Sequence, residues 1–122
     1  MEEFLNYLSE RIGIVSFLTG FIFTIAAAIL YCFPPKKINY LYGYRTSSSM
    51  KNQQVWDFSQ KYSAIKMLQI GLLLLAVSLL NVFITISEKQ ETMLGIGLML
   101  VGCIYMFVVT ESAIKKNFPN EK

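Results

Sequence analysis

The residues able to do chemistry in this chain crowd into one polar stretch. In Lys36-Lys37-Ile38-Asn39-Tyr40-Leu41-Tyr42-Gly43-Tyr44-Arg45-Thr46-Ser47-Ser48-Ser49 a tyrosine recurs at every second position around a glycine, and Trp56 follows shortly after. Arg45 presents five N–H donors in a planar fork that matches a phosphate or a carboxylate, and the hydroxyls of Thr46 and of Ser47 to Ser49 can complete an anion site beside a helix start. That is binding chemistry. A phosphate-bearing lipid head group, a cluster of backbone carbonyls or the terminal carboxylate of a peptide would each fit it. A structural role competes, in which Arg45 ties the loop to helix-end carbonyls or to Glu111. Trp56 and the tyrosines suit either the aromatic belt of a membrane interface or the stacking of a ligand. Catalysis is not indicated: the chain has no histidine, and Asp57, Glu111 and Arg45 are too few to supply nucleophile, base and orienting acid. No cofactor and no metal site is expected.

The elements that must position this stretch are set by where charge is missing. The 122 residues are 54% hydrophobic and 16% charged, with a mean hydropathy of +0.47. Lys, Arg, Asp and Glu leave gaps from Ile12 to Pro35, Met67 to Ser87 and Thr92 to Thr110. Each gap holds a membrane-spanning helix, since about 20 apolar residues cross the roughly 30 Å hydrocarbon core. The expected architecture is an all-α integral membrane protein forming one membrane domain over residues 1–122, with spans at about 12–33, 67–87 and 92–110 and a motif loop at 34–66.

The amino terminus lacks the basic character of a signal peptide, and Tyr31 before Cys32 is wrong for a lipoprotein cleavage site, so the first span is expected to be retained. Cys32 and Cys103 fall at different depths and are not expected to pair. Pro34-Pro35 ends the first helix. A turn is expected at Gly43, and Ser48 or Ser49 is positioned to cap a helix starting near Met50. On that helix Val55, Phe58, Tyr62 and Ile65 share a face, which predicts an amphipathic cytoplasmic interfacial helix leading into the second span or bending before it.

Orientation follows from the basic residues. Arg11 and Lys89 lie on one side of a three-span chain; Lys36, Lys37, Arg45, Lys51, Lys61, Lys66, Lys115, Lys116 and Lys122 lie on the other. The positive-inside rule then puts the first loop and the carboxyl terminus in the cytoplasm, and the amino terminus and the Glu88-Lys89-Gln90-Glu91 turn outside. The net charge of +3 thus expresses topology and attraction to anionic inner-leaflet lipid, and no nucleic-acid partner is implied.

Helices in lipid pack through shape, so small residues mark contacts. Ser16, Gly20, Thr24 and Ala28 form a four-residue stripe in the first span. Gly71, Ser78 and Thr85 recur every seven residues in the second, as do Gly95 and Gly102 in the third. The seams serve packing within one chain or in a homo-oligomer. The alternative is a solute path along Thr24, Ser78, Asn81 and Gln69, which three helices can enclose only as an oligomeric transporter or channel subunit.

The run Asn39, Tyr42-Gly43-Tyr44-Arg45-Thr46, Ser49, Asn52, Trp56 and Gln60, set between a span ending in Pro-Pro and the next span, resembles the signature of the SdpI/YfhL family of small bacterial membrane proteins. The resemblance covers about thirty residues of loop and the spans around it. It implies a multi-pass plasma-membrane protein related to an immunity factor that protects a bacterium from its own secreted killing peptide, with a peptide toxin or a cytoplasmic regulator as partner. The best-known member, also associated with holding a transcriptional repressor at the membrane, is longer and carries further spans before the half with the motif. On this resemblance Asn39, Tyr42, Gly43, Arg45, Thr46, Ser49, Trp56 and Gln60 are the candidate ligand- or partner-binding residues.

Overall fold

The computed structural model describes residues 1–11, 13–84 and 86–119, with the backbone alone for 8–11. Ile12, where the first charge gap opens, Thr85 of the seven-residue stripe and Lys122 of the charge split lie outside the described residues. Four helices follow in order: α1 Glu2–Arg11, α2 Ile14–Cys32, α3 Gln53–Leu80 and α4 Glu88–Asn117. The last three are long and apolar enough to cross a membrane.

α1 was not anticipated in the amino-terminal segment. Glu2 and Glu3 occupy its first turn, where carboxylates meet the positive end of the helix dipole. Among the described residues it packs against no other helix. α2 stops before the two prolines, as expected, with Phe33 N–H donating to Ile29 O at 2.7 Å.

α3 differs from expectation at both ends. Asn52, not Ser48 or Ser49, caps it, accepting from Val55 N–H at 2.9 Å. Ser49 is unavailable because its hydroxyl accepts from Thr46 N–H at 2.8 Å and faces Tyr44 O at 3.2 Å. The helix then runs unbroken for 28 residues to Leu80, about 42 Å at 1.5 Å per residue. The segment expected to lie on the membrane surface is therefore its first turns. Val55 is fully buried there with Trp56, Ser59, Gln60 and Ser63, whereas Ile65 is 42% exposed. The inward side is largely polar because the 33–52 loop packs on it.

The Glu88 to Glu91 segment is not a turn but the start of α4. Ser87 accepts from Gln90 N–H while Gln90 Oε1 accepts from Ser87 N–H, both at 3.1 Å, a reciprocal cap that satisfies two donors at once.

Small residues set the helix spacing. A Cβ at Gly20 would stand 2.8 Å from Leu75 N and 2.9 Å from Gly71 O, and one at Gly71 would stand 2.8 Å from Thr24 N. The α2 and α3 backbones thus touch where two glycines face each other. A Cβ at Gly95 would stand 3.0 Å from Ser16 N, and one at Gly102 would stand 2.7 Å from Ile70 Cγ2; Ser78 is fully buried. Ala28 is the exception, being exposed while Ala27 is 1% exposed. Each four-residue step overshoots a turn by about 40°, so the stripe from Ser16 has drifted about 120° by Ala28, whereas Ala27 returns to about 20°. Ile70, Leu74 and Met106 form the mid-bundle core with Phe23, Met67 and Leu98 against it. Of the residues of the alternative solute path, the Thr24 and Ser78 hydroxyls donate to their own helix at Gly20 O and Leu75 O, Asn81 is buried and Gln69 is exposed.

Candidate binding loop and the groove beneath it

Residues 33–52 form a loop whose course is held side chain by side chain. Asn39 Oδ1 accepts from Leu41 N–H at 2.9 Å and Tyr42 N–H at 2.7 Å, and its Nδ2 donates to Lys37 O at 3.0 Å. This turn brings Tyr42 back over the end of α2, where its hydroxyl donates to Phe33 O at 2.8 Å. It satisfies one of the carbonyls that a helix end leaves open. Gly43 follows at φ 106°, in the left-handed region that side chains resist. A Cβ there would also stand 2.5 Å from Gln60 Oε1 and 2.8 Å from Pro35 Cγ.

Gln60 is fully buried and clamps the next residue in both directions. Its Oε1 accepts from Tyr44 N–H at 2.7 Å, and its Nε2 donates to Tyr44 O at 2.8 Å. Trp56, fully buried, donates its indole N–H to Pro35 O at 2.8 Å. It therefore serves neither as an interfacial anchor nor as a stacking surface for a ligand. Thr46 and Ser49 close the loop reciprocally, Ser49 N–H donating to Thr46 Oγ1 at 3.1 Å.

Glu111 near the end of α4 joins this loop to the third span. Its Oε2 accepts from Tyr44 Oη at 2.7 Å and Thr46 Oγ1 at 3.0 Å. Burial, and then the hydrogen bond to Glu111, push the Tyr44 phenol well above its ordinary value of 10.0. The phenol thus stays a donor further into the alkaline range than a free one. The Tyr44 ring also lies 5.5 Å from that of Phe107.

Arg45 does not join Glu111. In the extended run of the loop, Tyr44 and Thr46 turn inward to the carboxylate and Arg45 turns out. It is exposed, and among the described residues its guanidinium has no hydrogen-bond or ion-pair partner. The eight motif residues therefore come together in one place, with seven spent on holding the loop. Arg45 alone presents its polar group outward.

Beneath it lies a groove of about 310 Å³. The loop from Tyr42 to Arg45 roofs it; α2 contributes Ala26 and Leu30, α3 Ser63 and Met67, and α4 Met106 and Phe107. Leu30, Ser63 and Met106 are buried at its floor, while Ala26 and Phe107 are exposed at its rim. The lining is mostly apolar, and the volume falls at the low end of small-molecule sites, about 300–1,000 Å³.

At the other end of the bundle sits Glu91, expected from the sequence in the turn outside the membrane. Glu91 is 5% exposed, and its Oε1 accepts from Ser16 N–H at 3.1 Å, so it caps the start of α2. Its spacing from Ser87 signals a helix start, but nothing local signals that it reaches another helix.

A sequence model of the SdpI/YfhL protein family matches residues 36–110, which include the loop, α3 and most of α4. A Bacillus subtilis (strain 168) protein described as uncharacterized protein YfhL is 36% identical over 99 residues, covering 79% of this chain and 82% of that one. No solved structure matches significantly.

Proposed function

This chain belongs to the SdpI/YfhL protein family, a multi-pass membrane protein of immunity type, and from that premise we propose that it works by binding, with the Arg45 loop as its recognition element. The single observation that carries this reading is the division of labour in the loop: seven motif residues are committed inward and Arg45 is left open. A guanidinium held at the tip of a braced loop is preorganised for an anionic group on its partner, such as a peptide toxin or a cytoplasmic regulator. Its role is recognition, not catalysis. The nine-to-two division of Lys and Arg supports a loop and carboxyl terminus in the cytoplasm and an amino terminus outside. An oligomeric transporter gains no support from the seams, because Gly20 and Gly71 are already used inside one chain.

The test is to express Arg45→Ala and Arg45→Lys, match their membrane level and melting temperature to the parent, and score survival against a candidate peptide toxin and crosslinking to candidate partners. Both variants should lose function, because an ammonium does not reproduce a bidentate fork. Normal survival and crosslinking in Arg45→Ala at normal level would end the proposal.

A further inference from the structure

Arg45 and the groove below it form one continuous feature, open cation above and apolar trough underneath. α2 has 19 residues, about 28 Å at 1.5 Å per residue, close to the thickness of the hydrocarbon core. The chain after Cys32 therefore stands at the level of lipid head groups. Ala26 lies six residues before Cys32, about 9 Å further into the membrane. Ala26 and Phe107 are exposed on the walls given by α2 and α4, so the trough opens on the flank that faces lipid.

We propose that this groove seats one anionic phospholipid, with the phosphate on Arg45 and the upper part of one acyl chain between Ala26, Met67 and Phe107. Three features select that occupant. The guanidinium is a cation with no protein partner among the described residues, and phosphate matches its fork. The lining below it is apolar, which suits an alkyl chain and not a soluble anion. The depth is that of the boundary where a phospholipid changes from phosphate to hydrocarbon. The proposal rests on the reading of Arg45 as a recognition residue and names the ligand that would occupy it between encounters with other partners.

The test uses the full chain, purified in detergent, stripped of lipid and titrated by native mass spectrometry with phosphatidylglycerol, diacylglycerol, which keeps the acyl chains but has no phosphate, and glycerol phosphate. The expected result is one retained phosphatidylglycerol, with diacylglycerol weaker by about tenfold or more, the loss of one charge-assisted pair. Glycerol phosphate alone should not be retained. Arg45→Ala should bring phosphatidylglycerol down to the diacylglycerol level. Ala26→Phe, which fills the trough from an exposed position, should weaken both lipids while leaving Arg45 in place; Ala26→Leu is the milder variant should the first fail to fold.

Equal binding of phosphatidylglycerol and diacylglycerol by the parent chain, undiminished phosphatidylglycerol in Arg45→Ala, or undiminished binding in a folded Ala26 variant would each overturn the proposal. Retention of glycerol phosphate as tight as that of the lipid would overturn it in favour of a soluble anion. The two readings also fail separately. Equal lipid binding with lost survival in Arg45→Ala removes the lipid seat alone; selective lipid binding with normal survival removes the immunity reading alone.

Discussion

The two ends of the bundle use the same device to different effect. At each, a glutamate of α4 reaches across to another part of the chain. Glu91 binds backbone N–H groups at the start of α2, and a Cβ at Gly13 would collide with Asn81 Nδ2 and stand 2.5 Å from Glu91 Oε1. The carboxylate there is consumed by the fold and the end is closed. Glu111 instead receives the hydroxyls of Tyr44 and Thr46, two side chains of a loop much longer than the connection between α1 and α2. The extra length is braced internally, and the brace leaves one cation and one groove open. A carboxylate on a helix end builds structure; a carboxylate on a loop builds a platform that can show something to a partner.

Four experiments bear on that contrast, and the largest effect lies between the two ends. Gly20→Leu should abolish folding, because the new side chain meets backbone at Leu75 and Gly71, where neighbours cannot rearrange at the 1–3 kcal/mol usual for overpacked cores, roughly stated. Phe21→Leu, at a position 49% exposed, should be mild. Size-exclusion profiles and folded yield in detergent separate them, and equal tolerance of both would show that the α2–α3 contact does not set the fold.

Next comes the brace. Gln60→Ala orphans Tyr44 N–H in a buried site and leaves Tyr44 O with the Ser49 hydroxyl alone, at about 1–3 kcal/mol for the orphaned group. Melting should fall clearly, and Arg45-dependent survival should fall with it. Survival that holds while the melting temperature drops would separate the loop's conformation from its function.

A smaller effect is expected from the two carboxylates. Glu91→Gln keeps an acceptor but removes negative charge from a helix amino terminus, which is worth about 0.3–1 kcal/mol and up to about 2 when partly buried. Glu111→Gln keeps an acceptor for two neutral hydroxyls and should cost less. Thermal melts of the two variants rank them, and a reversed order would show that the loop end is the tighter.

The smallest effect at neutral pH belongs to the Tyr44 phenol. Its folded pKa is raised, by burial first and by Glu111 second. The stabilisation is therefore complete below the ordinary value of 10.0 and is lost as the pH rises through the folded value. Melting temperature recorded against pH should decline on the alkaline side more steeply in the parent than in Tyr44→Phe. Parallel curves would mean that the phenol titrates freely and that Glu111 does not hold it.

The amino-acid sequence by itself determined the parts whose cause is local or periodic. Uncharged runs of span length define three membrane helices, Pro34-Pro35 ends the first, and a glycine among tyrosines turns the loop at Gly43. The small-residue stripes locate the crossing of Gly20 with Gly71. Only the tertiary structure decided which of several locally equivalent groups is used. Ser49 and Asn52 are both good caps, and Asn52 wins because Thr46 and Tyr44 occupy the Ser49 hydroxyl. Arg45 and Tyr44 are neighbours that can each reach a carboxylate, and the Gln60 clamp and the positive φ at Gly43 turn Tyr44 inward and Arg45 out. Glu91 and Glu111 lie 75 and 65 residues from partners they touch. Contacts at that separation follow from how the helices pack, which no short window of residues contains.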